Sequence, residues 1–536
     1  MYFFVFVYLI YIFYRSRDAL YMLQQNLYNE NNRYLKWILR NKEKAFNTLD
    51  FLPLILVIFT FFTQESFVKE IVYWSITFIY IMATYQEYRE NQNKQVKIKF
   101  NVTSRIKRLY MTEFIIIGLL MTLLILTNFQ AIVAIFLIFI GAFLYHFIYF
   151  VKLLNTPVEK MVYNYYFNKA KTKLKEMNRL SVIGITGSYG KTTSKNILSH
   201  VLSCKYITRP TPKNLNTPYG LMITINNYLD KFDELLIAEM GAYVEGEIKN
   251  MCDFVKPKYA ILTTIGEAHL ETFKTKENIC KAKFELIESL NKEGACVLNL
   301  DDEYQVKYVK KSLKNKVKII WVSVDKEEAD FRAVNIKTNK YGTNFDILYN
   351  NEKYHVETKL LGLHNVYNIL ASIALGVELK VNINDMIVKV KSIQPVEHRL
   401  EIKKLNNITM IDDAYNSNPV GSCNALKVLA MMDGVKVVVT PGMIELGVKE
   451  ETLNYEFGVN ISKVADYVIL IGEEKTKIIK KALLDNDFAS DRIIVLNKVV
   501  DAYLELDKIK SKNDDKEVFA LFENDLPDIY NEGVRK

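Results

Sequence analysis

The sequence predicts an α-helical, membrane-spanning region followed by two α/β domains. Three observations predict it. Half of the 536 residues are apolar, and they are densest in the first 150 positions. After Ser181, short β-branched runs alternate with amphipathic helical stretches, the pattern of parallel strands covered by helices. One strand-to-helix junction is a glycine-rich loop, Gly187-Ser188-Tyr189-Gly190-Lys191-Thr192-Thr193.

The first region, 1–151, reads as about five spans: 2–14, 48–63, 70–85, 109–127 and 130–151. A spanning helix needs roughly 17–25 mainly apolar residues. The last two stretches reach that length, the middle two only with flanking aromatics, and the first is short. It lacks the basic start and small-residue cleavage site of a signal peptide. Charge sets the orientation. Loops 15–47 and 86–108 carry net charges of +4 and +5, which together account for the whole chain's +9. Basic loops stay cytoplasmic, so the N-terminus is expected outside and everything after Tyr149 on the cytoplasmic side of a bacterial membrane. The same accounting removes the reason to read the basic balance as nucleic-acid binding. The five cysteines are scattered with no CxxC pair, which implies neither a disulfide framework nor a zinc site.

Residues 152–180 are lysine-rich and helical in character, a connector. The strand series then runs SVIGIT, ELLIAEM, YAILTTI, ACVLNL and KIIWVSV. A Pro-containing link (SIQPVEHR) interrupts it before a second series, ITMID, KVVVTP, YVILIG and RIIVL. The expected domains are 181–393 and 397–536.

Within the glycine-rich loop, Gly187, Ser188 and Gly190 let backbone N–H groups turn toward phosphate oxygens. Lys191 supplies a point charge to the β and γ phosphates, and Thr192 offers a hydroxyl to Mg²⁺, with Thr193 beside it. The helix N-terminus adds its dipole. The usual pattern has a glycine five positions before Gly190, and Ile185 stands there instead. Further on, Glu239 ends an apolar strand, where it reads equally as a Mg²⁺ ligand or a solvated strand end. His269 follows another strand and reads as a ligand or as a packed histidine. Lys283, in a polar helical run, reads by itself as a solvated lysine.

Taken in order, the segments TGSYGKT, NLNTPYG (214–220), EMGAYVEGEI (239–248), TTIGEAHLETF (263–273), AKFELI (282–287), LNLDD (298–302), GLHNVYN (362–368) and IDDAYNSNPVGS (411–422) resemble the Mur ligase superfamily, which builds the peptide of bacterial cell-wall precursors. The likeness covers about 181–450 and is greatest to the branch that adds D-alanyl-D-alanine to a muramoyl-tripeptide. It implies a P-loop ATPase-like central sheet, a Rossmann-like C-terminal domain, and ATP with two Mg²⁺ sites. Lys191, Glu239, His269 and Lys283 would be catalytic, and Thr192, Glu239, His269 and a carbamylated Lys283 would hold the metals. Asn299, Asp301, His364, Asn365, Asn368, Arg399 and Asp413 would border the nucleotide. Asn214, Asn216, Asn416 and Asn418 would meet the substrates. The resemblance also implies an acyl-phosphate intermediate and an amine acceptor of the D-Ala-D-Ala type.

Two features depart from that pattern. The family's UDP-sugar domain precedes the ATP loop, and here apolar stretches and basic loops stand in its place. Gly442 occupies a position that is usually acidic, and LFENDLPDIY (521–530) replaces a basic segment. A ligase acting on a lipid-linked or other carboxylate is therefore the first alternative. A nucleotide-driven transporter or sensor is the second. It lacks an LSGGQ-like signature, and its spans would lack the ionisable pairs of a transport path, Glu113 near one end excepted.

Overall fold

The computed structural model describes residues 2–524 except 27, 29–31, 47–50, 61, 63–64, 94–99, 127–129, 214, 267–269, 315, 396–397, 406–407, 415–418, 445 and 447–448. The expectations for Asn214, His269, Asn416 and Asn418 fall outside the described residues. The chain forms two compact units, Met1–Tyr165 and Tyr166–Lys536.

The first unit is helical: α1 (Tyr2–Gln25), α2 (Arg33–Arg40), α3 (Lys42–Ala45), α4 (Phe51–Phe59), α5 (Ser66–Asn93), α6 (Ser104–Leu126), α7 (Gln130–Ala142) and α8 (Leu144–Glu176), the last running into the second unit. Among the described residues, only Ser66–Arg89 of α5 and α6 are long and apolar enough to cross a membrane. α7 and α8 make a third span only if a pair bent by 95° counts as one. The expectation of five spans is not met. At 1.5 Å per residue α4 is about 14 Å long, under half of a roughly 30 Å hydrocarbon core. α1 is long, but Arg15, Arg17 and Asp18 lie within it. Residues 152–176 are helical, within α8. Polar side chains also meet inside this unit, and Glu113, the exception named from the sequence, is one of them. Glu113 is fully buried and accepts from Ser16 Oγ, Tyr145 OH donates to Asp18 at 2.6 Å, and Arg15 donates to Tyr11 OH at 2.8 Å.

The second unit holds two sheets. The first contains β1 (Ser181–Thr186), β2 (Thr208–Pro210), β3 (Leu235–Glu239), β4 (Tyr259–Leu262), β5 (Ala295–Asn299), β6 (Lys318–Ser323), β7 (Phe331–Asn339), β8 (Gly342–Tyr349) and β9 (Glu352–Thr358). Their order is β2-β3-β1-β4-β5-β6-β7-β8-β9. The pairs are parallel as far as β7 and antiparallel from β7 to β9. The helices are α9 (Lys191–Leu202), α10 (Pro218–Asn227), α11 (Glu247–Val255), α12 (Leu270–Phe273), α13 (Lys276–Glu288), α14 (Glu303–Lys311), α15 (Leu363–Glu378) and α16 (Ile383–Ser392). Both faces of the sheet are covered. Ile183 and Ile185 of β1 point to the core shared with α9 and α15, and Val182 points to the core shared with α10, α11 and α13. That is the period-two split of a strand buried on both sides.

The second sheet has order β10-β11-β15-β12-β13-β14, with β10 (Glu401–Leu405), β11 (Ile408–Asp413), β12 (Val435–Thr440), β13 (Tyr467–Ile471), β14 (Ile493–Leu496) and β15 (Val518–Glu523). Only the β10–β11 pair is antiparallel. Helices α17 (Pro419–Ala430), α18 (Glu450–Ser462), α19 (Glu473–Asp485) and α20 (Val499–Lys512) accompany it.

Candidate active site

β1 lies between β3 and β4 and is followed by α9, so the carboxyl ends of three neighbouring strands open onto one helix N-terminus. This is where open α/β sheets place ligands. Two glycines make the turn. Gly187 has φ 146°, and a Cβ there would lie 2.0 Å from Thr263 Oγ1. Gly190, at φ 78°, precedes the first turn of α9. Such φ values suit glycine because it has no Cβ to clash. Ser188 is buried and paired, its N–H donating to Thr264 O at 2.8 Å and its hydroxyl to Gly266 O at 3.1 Å. Lys191 Nζ curls over the loop and donates to the carbonyls of Gly187 (2.8 Å) and Ser188 (3.1 Å). Burial, with Arg399 contributing, lowers its pKa from the ordinary lysine value.

Glu239, at the end of β3, is a node. Its Oε1 accepts from Thr192 Oγ1 and from Asn216 Nδ2, both at 3.1 Å. Its Oε2 accepts from Lys195 Nζ at 3.1 Å. Lys195 is buried and donates also to Lys213 O at 2.6 Å. Lys213 sits in the left-handed region at φ 49°, which costs a non-glycine residue about 1–3 kcal/mol and turns its carbonyl toward the ammonium. One carboxylate thus joins α9 to the 211–217 loop. Lys195 is the residue that sequence reasoning missed. Its signal was the i, i+4 spacing from Lys191, which puts both lysines on one side of α9.

Lys283 is not the solvated helix lysine its run suggested. It is buried on α13, donates to Ala242 O at 3.3 Å, and lies 5.5 Å from the Phe273 ring centroid. Burial first, and the charge of Lys191 second, lower its pKa to about 7.

A cavity of about 520 Å³ opens beside the loop. Gly190, Thr193, Asn299, His364, Asn365 and Asn368 line it from the first sheet and its helices. Arg399 and Asp413 line it from the second. The α15 face is distinctive. His364 Nδ1, Asn365 Oδ1 and Asn368 Nδ2 are buried without a hydrogen-bond partner. A native fold seldom leaves such atoms unsatisfied, so their clustering marks a face shaped for a polar ligand. Burial drives the His364 pKa down to about 4, helped by Arg399, so its ring is neutral at pH 7. Arg399 stands between two left-handed residues, His398 (φ 59°) and Leu400 (φ 47°). Leu400 N donates to Asp413 Oδ1 at 3.2 Å. Burial lifts Asp413 to about 6.

Asp301 is turned away from the cavity. It accepts from Ser323 Oγ (2.7 Å), Val324 N (2.9 Å) and Tyr367 OH (2.8 Å), so it braces β6 and α15. Among the described residues no group of three His, Cys, Asp or Glu side chains converges as a metal cage. Thr192 and Glu239 offer one hydroxyl and one carboxylate, the sparse protein share that suits Mg²⁺ held mainly by phosphates and water.

A glycine-rich strand-loop-helix junction beside a cavity shared with a second α/β sheet is the architecture expected of the Mur ligases, and comparison with known proteins agrees. Residues 185–376 match the Mur ligase middle domain, and 398–515 match the Mur ligase glutamate ligase domain. The chain belongs to the Mur ligase family. Its relatives include two UDP-N-acetylmuramoyl-tripeptide–D-alanyl-D-alanine ligases. That of Buchnera aphidicola subsp. Baizongia pistaciae is 34% identical over 51% of this chain and 59% of the relative. That of Bacillus subtilis (strain 168) is 30% identical over 60% of this chain and 69% of the relative. The chain therefore spans about three fifths to two thirds of the length of these relatives. Among solved structures, MurF from Acinetobacter baumannii superposes with a TM-score of 0.59 at 26% identity, covering 67% of this chain and 76% of that one. MurF from Thermotoga maritima in complex with ADP gives 0.57 at 26%, covering 69% and 81%.

Proposed function

We propose that this chain is an ATP-dependent amide ligase of peptidoglycan precursor synthesis that adds D-alanyl-D-alanine to a muramoyl-tripeptide. The observation that carries this reading is the Glu239 node. It ties the phosphate-loop helix to the 211–217 loop, so a carboxylate substrate held by that loop would lie beside the γ-phosphate. The division follows the two sheets, with 181–393 binding ATP and 397–536 capping it.

In this reading the substrate carboxylate attacks the γ-phosphate, ADP leaves, and an acyl phosphate forms. The dipeptide amine then attacks the activated carbonyl and phosphate departs. Lys191 swings from the Gly187 and Ser188 carbonyls to the phosphates and takes up developing charge, the main demand of phosphoryl transfer. The polar atoms of His364, Asn365 and Asn368 receive the nucleoside, and Arg399 reaches it from the link between the sheets. Mg²⁺ would be held at Thr192 and Glu239, where it supplies charge neutralisation between the phosphates. His269 and Lys283 are assigned to a second metal. A neutral Lys283 amine is what addition of carbon dioxide requires, and its lowered pKa supplies that form near pH 7. Asn214, Asn216, Asn416 and Asn418 are assigned to the two substrates.

The helical unit is read as a membrane anchor with the ligase domains on the cytoplasmic side. Exposed Trp74, Phe78, Ile115 and Leu119 on the two candidate spans support this, since a soluble protein rarely exposes contiguous apolar surface on that scale. That unit stands in the place of a UDP-binding domain, which favours a lipid-linked acyl substrate as the second reading. Mass spectrometry of products from ATP, Mg²⁺, D-Ala-D-Ala and either UDP-linked or lipid-linked tripeptide decides between them. Product from neither, with Lys191→Ala as the blank, overturns both.

A further inference from the structure

Helix α8 has two faces with different fates. Tyr145, Ile148 and Val151 pack into the helical unit. Asn155 and Glu159 continue that side with polar contacts to α6. Asn155 Nδ2 donates to Thr112 Oγ1 at 2.9 Å. Glu159 accepts two hydrogen bonds from Arg108, at 2.7 and 2.9 Å, with Arg105 at 3.6 Å. The other side carries Phe150, Leu154, Val158, Met161 and Tyr165, at i, i+4, i+8, i+11 and i+15. At 100° per residue these fall within an arc of about 80°, in a stripe about 23 Å long. All five are exposed, Met161 at 66% and Tyr165 at 65%. Lys152 and Lys160 lie off the stripe.

We infer that this stripe is an in-plane docking surface for an anionic lipid surface, resting on the membrane reading above. Three observations choose that occupant. α7 packs against α6, a candidate span, and α8 leaves α7 at 95°, so α8 turns away from the direction of α7. α8 is clamped at the basic start of α6, where headgroups of a cytoplasmic leaflet would lie. Lys160, exposed beside the apolar stripe, adds the cationic flank that an interfacial helix turns to headgroups.

The test is depth-resolved quenching on the full-length chain. One version keeps a single tryptophan at the stripe (Met161→Trp with Trp37→Phe, Trp74→Phe and Trp321→Phe). A companion keeps only Trp74, on α5. Both are reconstituted in phosphatidylcholine–phosphatidylglycerol vesicles brominated at shallow or deep acyl positions. Met161 is well exposed, so the substitution leaves packing untouched. The inference expects position 161 to be quenched about twofold more by shallow than by deep bromines. It also expects that bias to weaken when Lys160→Glu is added. Deep quenching at 161 means α8 is a span and overturns the inference. No quenching at 161 with Trp74 quenched overturns it alone and points to water or a second copy. If Trp74 also stays unquenched, the membrane reading itself falls.

Discussion

The two ends of the cavity beside α9 are built on opposite plans. At the glycine-loop end the described charged and amide side chains hold one another or the loop. Lys191 holds loop carbonyls, and Thr192, Lys195 and Asn216 hold Glu239. At the α15 end, His364, Asn365 and Asn368 keep buried atoms with no partner. The first arrangement stores its geometry in internal bonds and must exchange some of them when a ligand arrives. The second keeps the desolvation cost of its polar atoms outstanding until a ligand bonds to them. Stability should therefore be concentrated at one end and affinity at the other.

Substitutions can break that comparison, and the largest effect should come from Lys191→Ala. It removes the mobile charge at that end together with its two bonds to loop carbonyls, so product formation should fall by about 10³-fold and the thermal midpoint should drop. Lys195→Met should do the reverse of a binding-site change. It leaves the Glu239 carboxylate buried without its counter-charge, and breaking such a pair costs about 3–5 kcal/mol, read as a lower midpoint of urea unfolding. An unchanged midpoint would show that the phosphate end does not store stability. Asn368→Ala should leave the unfolding midpoint unchanged or raised, because it deletes an unsatisfied donor. It should weaken ADP binding by about three- to tenfold in calorimetry, the worth of one hydrogen bond. The smallest effect is a pH slope. The Lys283 pKa lies near 7 in the folded chain, below its unfolded value. Between the two the unfolded chain binds more protons, so stability rises with pH over that window. Lys283→Met should flatten that part of a stability–pH curve.

Much of this arrangement was legible from spacing. β1, β3, β4, β5 and β6 were read from their β-branched runs, and the loop at 187–193 from its glycines. The antiparallel strands β7 to β9 were missed although Phe331–Asn339 alternates in and out, because weight went to continuous apolar runs. β15 was read as part of a departing tail, yet Val518–Glu523 is buried throughout. The burial of Lys283 was illegible, since Lys281 and Glu285 two residues away give the run a charged look and the apolar cover comes from packing. Lys195 escaped for a similar reason: its partners, Glu239 and the Lys213 carbonyl, are distant in sequence. The apolar stretches were over-read as spans because composition registers hydrophobicity, not where a helix stops.

The position of β15 has a consequence for how the capping domain comes into being. It is the last strand of its sheet in the chain, yet it lies between β11 and β12. Until it arrives, the β10–β11 hairpin and the β12–β14 layer have no common edge. Closing that gap requires a contact between segments about a hundred residues apart, and such contacts form slowly. The cap should thus assemble in a single late event, with the ATP-binding sheet already in place to receive it.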